Sequence, residues 1–477
     1  MKKTNYVMFL LCICISISTM AQNKKLNVLF IASDDLNVDE EIFDNPLVKT
    51  PNLKRLFSMG VKFDRAYTQY PFCGPSRASL MTGLRPDQTG VKDLATFFRD
   101  NIPNVETLPQ MFMKNGYFSA RVGKIYHYGV PEQIGTNGQD DALSWNVRVN
   151  PIGIDRQQED KITNYTPKIP LGAAMSFWAA PGTDDDQTDG KVANEAVKLM
   201  EEHKDKPFFL AVGFFRPHTP YVAPKKYFDM YPLEKITLAK QSDTDWDNKP
   251  AIAKFLPVDN FGMTEQQQKE VKRAYYASIS FMDAQVGKLL DKLDELKLAD
   301  NTIIVFWSDH GYALGQHKQW LKQQLFEHVA RVPLLIAAPG FAKQKGTKSA
   351  AELIDLYPTL ADLAGIKAPA EIQGKSLVPI LKEPSKTIDT PAFTQLFKKA
   401  RQRGWYEHLD RDYDGRSVRY KEWRYTEWND GKDGAELYNY KEDPNEFNNL
   451  ANNPKYSKVV AQMKEMLKKQ YKSFTKA

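Results

Sequence analysis

The chain has 477 residues, of which 42% are hydrophobic and 26% charged, with a formal net charge of +6 at neutral pH. This is the composition of a folded protein long enough for one large domain and a smaller one, and it excludes a disordered chain. So mild a charge does not call for nucleic acid as a partner, though local basic clusters could hold a polyanionic sugar.

Met1-Lys2-Lys3, an apolar run from Val7 to Ile17 and the small-residue end Ser18-Thr19-Met20-Ala21 match the parts of a secretory signal peptide. Cleavage is expected near Ala21, giving an exported, periplasmic or secreted protein. Cys12 and Cys14 fall within the run, but the residues before each make a poor lipid-attachment box, so a lipoprotein anchor is the lesser reading. No later apolar run is long enough to span a bilayer. Cys73 is then the one cysteine of the mature chain, which excludes an intrachain disulfide and suggests a reactive role in an exported protein.

Leu26 to Ala32, LNVLFIA, predicts a buried strand that stops at Ser33-Asp34-Asp35. Adjacent aspartates are common in solvated turns, but these end a strand, where open α/β sheets place their ligands. Thr50 and Pro51 open a helix that Gly60 closes. Pro75, Ser76 and the run Arg77 to Thr82 read as another helix start, with Cys73 at its foot. Backbone N–H groups there would favour an anion that a thiolate nucleophile could exploit, although a lone cysteine is also often a small buried hydrophobe.

Thr107 to Asn115 is a third helix, and Phe118 to Val122 a strand delivering Gly123-Lys124-Ile125-Tyr126-His127. Gln133 to Asp189 is polar and poorly periodic, predicting long loops across the sheet's edge. A helix over Lys191 to His203 and a strand over Pro207 to Phe215 lead to Arg216-Pro217-His218. Leu238 to Gly262 reads as loop. Thr264 with Gln267 forms a capping-box pattern that opens a long amphipathic helix through Val271, Tyr275, Met282, Val286 and Leu289. Thr302 to Trp307 is a strand that stops at Ser308-Asp309-His310-Gly311, Pro333 to Ala338 another, and Glu352 to Gly365 a helix. This succession predicts an α/β protein with a large, mostly parallel sheet covered by helices.

From about Glu383 the texture changes. Ser417 to Trp428 alternates like a strand, a helix begins near Lys455, and arginines from Arg401 to Arg424 crowd among Tyr and Trp. The expected division is a signal peptide at 1–21, a catalytic domain at 22–382, and a C-terminal α+β subdomain at 383–477 with a small antiparallel sheet and a terminal helix. The arginines read as a solvated face or as part of a substrate cleft, and with Tyr312 they are candidates for gripping a carboxylate. His203 and His408 read as structural; His317 and His328 have no assignment.

Asp34, Asp35, residue 73, Asp309 and His310 should converge at one edge of the sheet. Three carboxylates and one imidazole make a mainly hard-oxygen site, suited to calcium or magnesium rather than zinc.

Cys73-Gly74-Pro75-Ser76-Arg77, followed by Ala78-Ser79-Leu80-Met81-Thr82-Gly83, resembles the signature of the formylglycine-dependent sulfatases, in which the cysteine is oxidised after translation to an aldehyde (formylglycine, or 3-oxoalanine). Gly74 stands where the family often has Ala, Thr or Ser. Val122 to His127, Phe215 to His218, Tyr275 to Asp283 and Ser308 to Gly315 are similar to the iduronate-2-sulfatase branch, as is His310 where many sulfatases have Asn. Glu436 to Tyr440 with Asp443 to Glu446 resembles the usual sulfatase ending.

The resemblance implies an alkaline-phosphatase-like fold, one Ca2+ held by Asp34, Asp35, residue 73, Asp309 and His310, and a maturation partner of the formylglycine-generating or anaerobic sulfatase-maturating kind. By the family's pattern Arg77 steadies the hydrated aldehyde, Lys124 and Lys322 hold sulfate oxygens, His127 takes a hydroxyl proton, and His218 or Lys322 protonates the leaving oxygen. The expected activity is removal of a 2-O-sulfate from iduronate or a related uronic acid at the end of a sulfated oligosaccharide, from a glycosaminoglycan or from ulvan. A phosphatase or phosphodiesterase of the same fold would want Ser or Thr as nucleophile and more His ligands. An inactive sugar-binding homologue would show decay in the catalytic set, whereas every position named is filled.

Overall fold

A computed structural model describes residues 25–401 and 406–472, so the leader at 1–21 lies outside the described residues. Its centre is β1 (Asn27–Asp34), which is buried along its whole length. Successive side chains of a strand point to opposite faces, and here both faces are covered, which is why the strand reads as unbroken apolar sequence. Leu29 and Ile31 join one core with Val192, Tyr275 and Leu289. Val28, Phe30 and Ala32 join the other with Leu80, Met81 and Leu356.

The remaining strands of the main sheet are β2 (Val61–Tyr67), β3 (Phe118–Gly123), β4 (Val147–Val149), β5 (Phe208–Pro217), β6 (Thr302–Ser308), β7 (Arg331–Val332), β8 (Leu334–Ala337) and β9 (Lys345–Glu352). They lie in the order β7-β2-β8-β6-β1-β5-β3-β4, with β9 beside β2. The run from β6 to β4 is parallel, whereas β8 is antiparallel to both β6 and β2. The sheet is therefore mixed, and its parallel half aims the ends of β1, β3, β5 and β6 at one edge.

Four helices matter most for the site's support. They are α1 (Pro51–Met59), α2 (Cys73–Thr82), α3 (Thr188–Glu202) and α4 (Glu265–Glu295). The capping box is formed at α4, where the Thr264 hydroxyl accepts from Gln267 N. The N-terminus of α1 is capped from a distance instead: Asp283 on α4 accepts from the backbone N–H groups of Asn52 (3.0 Å) and Leu53 (2.7 Å). Asp283→Ala leaves those buried donors unpaired and is expected to lower unfolding free energy by about 1–3 kcal/mol in urea titrations. An unchanged midpoint would show that α1 does not depend on this cap.

The stretch Gln133 to Asp189 is not all loop. Val147–Val149 extends the main sheet, and Ser176–Ala180 pairs with Thr163–Asn164 and Tyr221–Pro224 in a separate three-stranded sheet. These strands are too short to impose a period on the sequence. At the C-terminal end Ala392–Lys398, Tyr413–Tyr420, Trp423–Trp428 and Ala435–Asn439 form a four-stranded antiparallel sheet, backed by the helix Ser457–Lys472. Met463 and Leu467 of that helix pack on Val418, Tyr425 and Leu437.

Candidate active site

Cys73 begins α2 and is 1% exposed, with Sγ 3.3 Å from His310 Nε2, 3.1 Å from Lys322 Nζ and 3.7 Å from Asp35 Oδ1. Arg77, one turn later, is fully buried. Its Nε donates to Asp309 Oδ2 (2.8 Å), Nη2 to Asp34 Oδ1 (3.0 Å), and Nη1 to the carbonyls of Lys124 and Ile125. Lys124 Nζ lies 2.6 Å from Asp34 Oδ2, and Lys322 Nζ 2.5 Å from Asp35 Oδ1. Three buried carboxylates thus face three buried cations, so the set is close to neutral before any substrate arrives.

Burial opposes the charge on Asp34 and Asp35, but the surrounding cations outweigh it and hold both below the usual carboxylate range, Asp34 well below. Burial likewise opposes the charge on Lys322, yet Asp35 and its neighbours keep this ammonium above the ordinary lysine value. The Cys73 thiol goes the other way: burial pushes it well up, only partly countered by Lys322. As a plain cysteine it is therefore a protonated thiol, which corrects the expectation of a thiolate poised on the helix terminus. Burial, then Lys124, holds His127 well below its usual value, and burial lowers His218 to about 4 despite Asp35.

One ligand atom each from Asp35, Cys73, Asp309 and His310 lies within 4.8 Å of the others. His310 Nδ1–H donates to Gly311 O (2.8 Å), leaving the Nε2 lone pair directed at residue 73 and Asp35. Asp35 Oδ2 is buried without a hydrogen-bond partner. An orphaned carboxylate oxygen in a set of hard donors fits a divalent cation. Asp34 stands beside this group with both oxygens engaged by Arg77 and Lys124.

Residue 73 opens into a cavity of about 230 Å³ whose wall includes His127, His218, Lys322, Glu132, Gln323 and Phe255. Leu321 (φ 70°) and Gln323 (φ 62°) are both left-handed, so Lys322 is presented on a strained hairpin end. Glu132 and Gln323 lie in no motif, and the sequence carried no signal for them.

Two expectations about substrate grip are corrected. Tyr312 is fully buried, stacked on Tyr275 and hydrogen-bonded to Tyr221 (2.7 Å), because a phenol with a core partner gains nothing by facing the cavity. The arginines of the C-terminal segment do not line the described cavity either. Arg424 and Arg419 are buried against Glu327, Arg416 pairs with Asp414, and Arg411 with Asp433. Burial opposes the charge on Glu327, but these two arginines hold its carboxyl at about 2. Arg403 falls outside the described residues. His203 stacks on Phe118, and His317 and His328 pack around Phe326, away from the cavity wall.

A mixed sheet with buried acids and bases gathered at its parallel strand ends, and a small antiparallel sheet appended, is the alkaline-phosphatase-like architecture of ester hydrolases. The chain belongs to the sulfatase family: the model described as Sulfatase matches residues 26–366, and one described as N-sulphoglucosamine sulphohydrolase, C-terminal, matches 315–473. It is a sulfuric ester hydrolase. A sulfatase of Formosa agariphila is 34% identical over 460 residues, covering 93% of this chain and 87% of that protein. Iduronate 2-sulfatase of Mus musculus is 34% identical over 416 residues, covering 77% and 74%. Among solved structures, BT4656 in complex with its substrate D-glucosamine-2-N,6-O-disulfate has a TM-score of 0.72 at 22% identity, covering 95% of this chain and 98% of that one.

Proposed function

We propose that the protein is an exported, formylglycine-dependent sulfatase that removes a 2-O-sulfate from a terminal uronic acid of a sulfated oligosaccharide. The observation that carries this reading is the position of residue 73, in contact with Lys322, His310 and Asp35 and open to the cavity. Converted to formylglycine by a maturation enzyme, residue 73 supplies an aldehyde hydrate whose hydroxyl is the nucleophile toward sulfur. Asp35, Asp309 and His310, with Asp34 and residue 73 beside them, would hold a Ca2+, which when bound would supply positive charge to the sulfate ester.

The chain's own residues do the rest. Arg77 fixes Asp34 and Asp309 from behind and, with Asp35, sets the frame in which residue 73 sits. Lys322, in the cavity wall, brings fixed positive charge to the sulfuryl group, while Lys124, fully buried on Asp34 and outside that wall, adds its charge from behind. His127, uncharged at neutral pH, accepts the nucleophile's proton. His218 Nδ1–H donates to Thr219 O (2.5 Å), and its Nε2 lies 3.6 Å from Asp35 Oδ2. With His218 unprotonated above about pH 4, the proton for the leaving oxygen comes from Lys322. Apolar walls at Phe72, Leu94, Val130 and Phe255 limit water around the reacting bond.

This assignment predicts a pH profile. kcat/KM is expected to stay level across neutral pH, with an acid limb only well below the ordinary histidine range, where the base His127 gains a proton. A fall in kcat/KM with rising pH above 4 would assign the donated proton to His218 instead.

The 34% identity to an iduronate 2-sulfatase supports the sugar. A cavity of 230 Å³, below the roughly 300–1,000 Å³ of drug-sized sites, suits one terminal ring. The four-stranded sheet and its helix support a C-terminal subdomain at 383–477 beside a catalytic domain at 22–382. One observation favours a second sugar class: Glu132 puts a carboxylate in the cavity wall, which suits a hydroxyl- or amine-bearing ring better than a uronate. Sulfate release from sulfated disaccharides with and without a uronic acid, drawn from glycosaminoglycan and ulvan, separates the two. Absence of release from every sulfate ester in that panel would overturn the proposal.

A further inference from the structure

We propose that His317, His328 and Glu446 form a second divalent-cation site, of zinc type, that ties the Lys322 hairpin to the C-terminal sheet region. One ligand atom from each of the three lies within 4.8 Å of the others, and none of the three lines the catalytic cavity. His317 sits in the turn between the strands Ala313–Leu314 and Trp320–Leu321, His328 on the short helix Glu327–Ala330, and Glu446 beyond the strand Ala435–Asn439.

Each donor is prepared for a metal. His317 Nδ1 lies 3.0 Å from both oxygens of Asp245, so its N–H donates there and the lone pair is fixed on Nε2. A carboxylate behind the imidazole is the arrangement that orients zinc-binding histidines. His328 Nε2 is buried with no hydrogen-bond partner. The Phe326 ring stacks on both imidazoles, at 4.3 Å from His317 and 5.9 Å from His328 between centroids, which restricts their rotation.

Glu446 is 1% exposed; its Oε1 accepts from Tyr440 Oη (2.5 Å) and lies 3.5 Å from Arg424 Nε, and its Oε2 accepts from Glu327 N (2.8 Å). A carboxylate has about four lone-pair sites, so one remains for a cation. His317 is itself left-handed (φ 54°), a conformation that a non-glycine residue keeps only where its surroundings hold it. Two imidazoles and one carboxylate select zinc-like ions over calcium. Zinc bonds of about 2.0–2.1 Å bring tetrahedral ligand atoms roughly 3.3 Å apart, within reach of small side-chain rotations from the observed spacing.

The test uses the full-length protein and zinc alone, and it needs no turnover, so it stands or falls apart from the sulfatase mechanism. After chelation and readdition of Zn2+, elemental analysis should find one more equivalent in the wild type than in His328→Gln. Asp245→Asn should weaken that equivalent about 10–100-fold in calorimetric titration. Equal zinc content in wild type and His328→Gln would overturn the site. Should His328→Gln fail to fold, an anomalous difference map at the zinc edge of wild-type crystals decides: a peak between the two imidazoles supports the site, and its absence there overturns it.

Discussion

Cys73→Ala is expected to abolish sulfate release, by at least about 10⁴-fold, with little change in the unfolding midpoint. The side chain that is lost is small, and the framework of the site survives without it, because Arg77, Asp34, Asp309 and Lys124 are bonded to one another rather than to sulfur. Cys73→Ser keeps a hydroxyl at the same place but has no second hydroxyl with which to expel sulfate, so it should liberate no more than one equivalent of alcohol per chain. The tryptic peptide Ala66 to Arg77 of the active wild type should carry the mass of the aldehyde. A plain thiol in fully active protein, or undiminished turnover by the alanine variant, would end the assignment.

Arg77→Met is expected to be the most damaging single change to stability in the site, costing about 3–5 kcal/mol in denaturant titrations. The guanidinium is the shared partner of Asp34 and Asp309, all three fully buried. Removing it leaves carboxylates that water cannot reach, with Lys124 still paired to Asp34 but Asp309 deprived of its ion-pair arginine. Arg77→Lys should rescue little, since a single ammonium cannot address two carboxylates and two backbone carbonyls along the fork that Arg77 spans. A methionine variant as resistant to denaturant as the wild type would show that these charges are solvated or neutralised in some other way.

What could be read from the sequence depended on whether the signal was local. β1, β5 and β6 were legible because strands covered on both faces are unbroken apolar runs, and each run stops where a polar cluster begins. The long helix was legible from its capping box and period. By contrast β9, Lys345–Glu352, lies along the sheet's margin with exposed and buried residues mixed, so no pattern announced it. The fate of the C-terminal arginines was illegible for another reason: Arg424 finds Glu327, a partner 97 residues away that only the folded chain supplies. Tyr312 misled in the same way, since its motif fixed its neighbours in sequence while Tyr221 and Tyr275 decided where the phenol went.

The enclosure of α2 sets an order of events. Every residue from Cys73 to Thr82 is buried, and Arg77, one turn beyond the cysteine, is locked inside the finished molecule. No second protein can reach that stretch once the sheet has closed over it. If activity rests on an aldehyde at residue 73, as proposed, the oxidation would have to act on the nascent or still-extended polypeptide, and a batch that folded with its thiol intact would stay inactive until it was unfolded again.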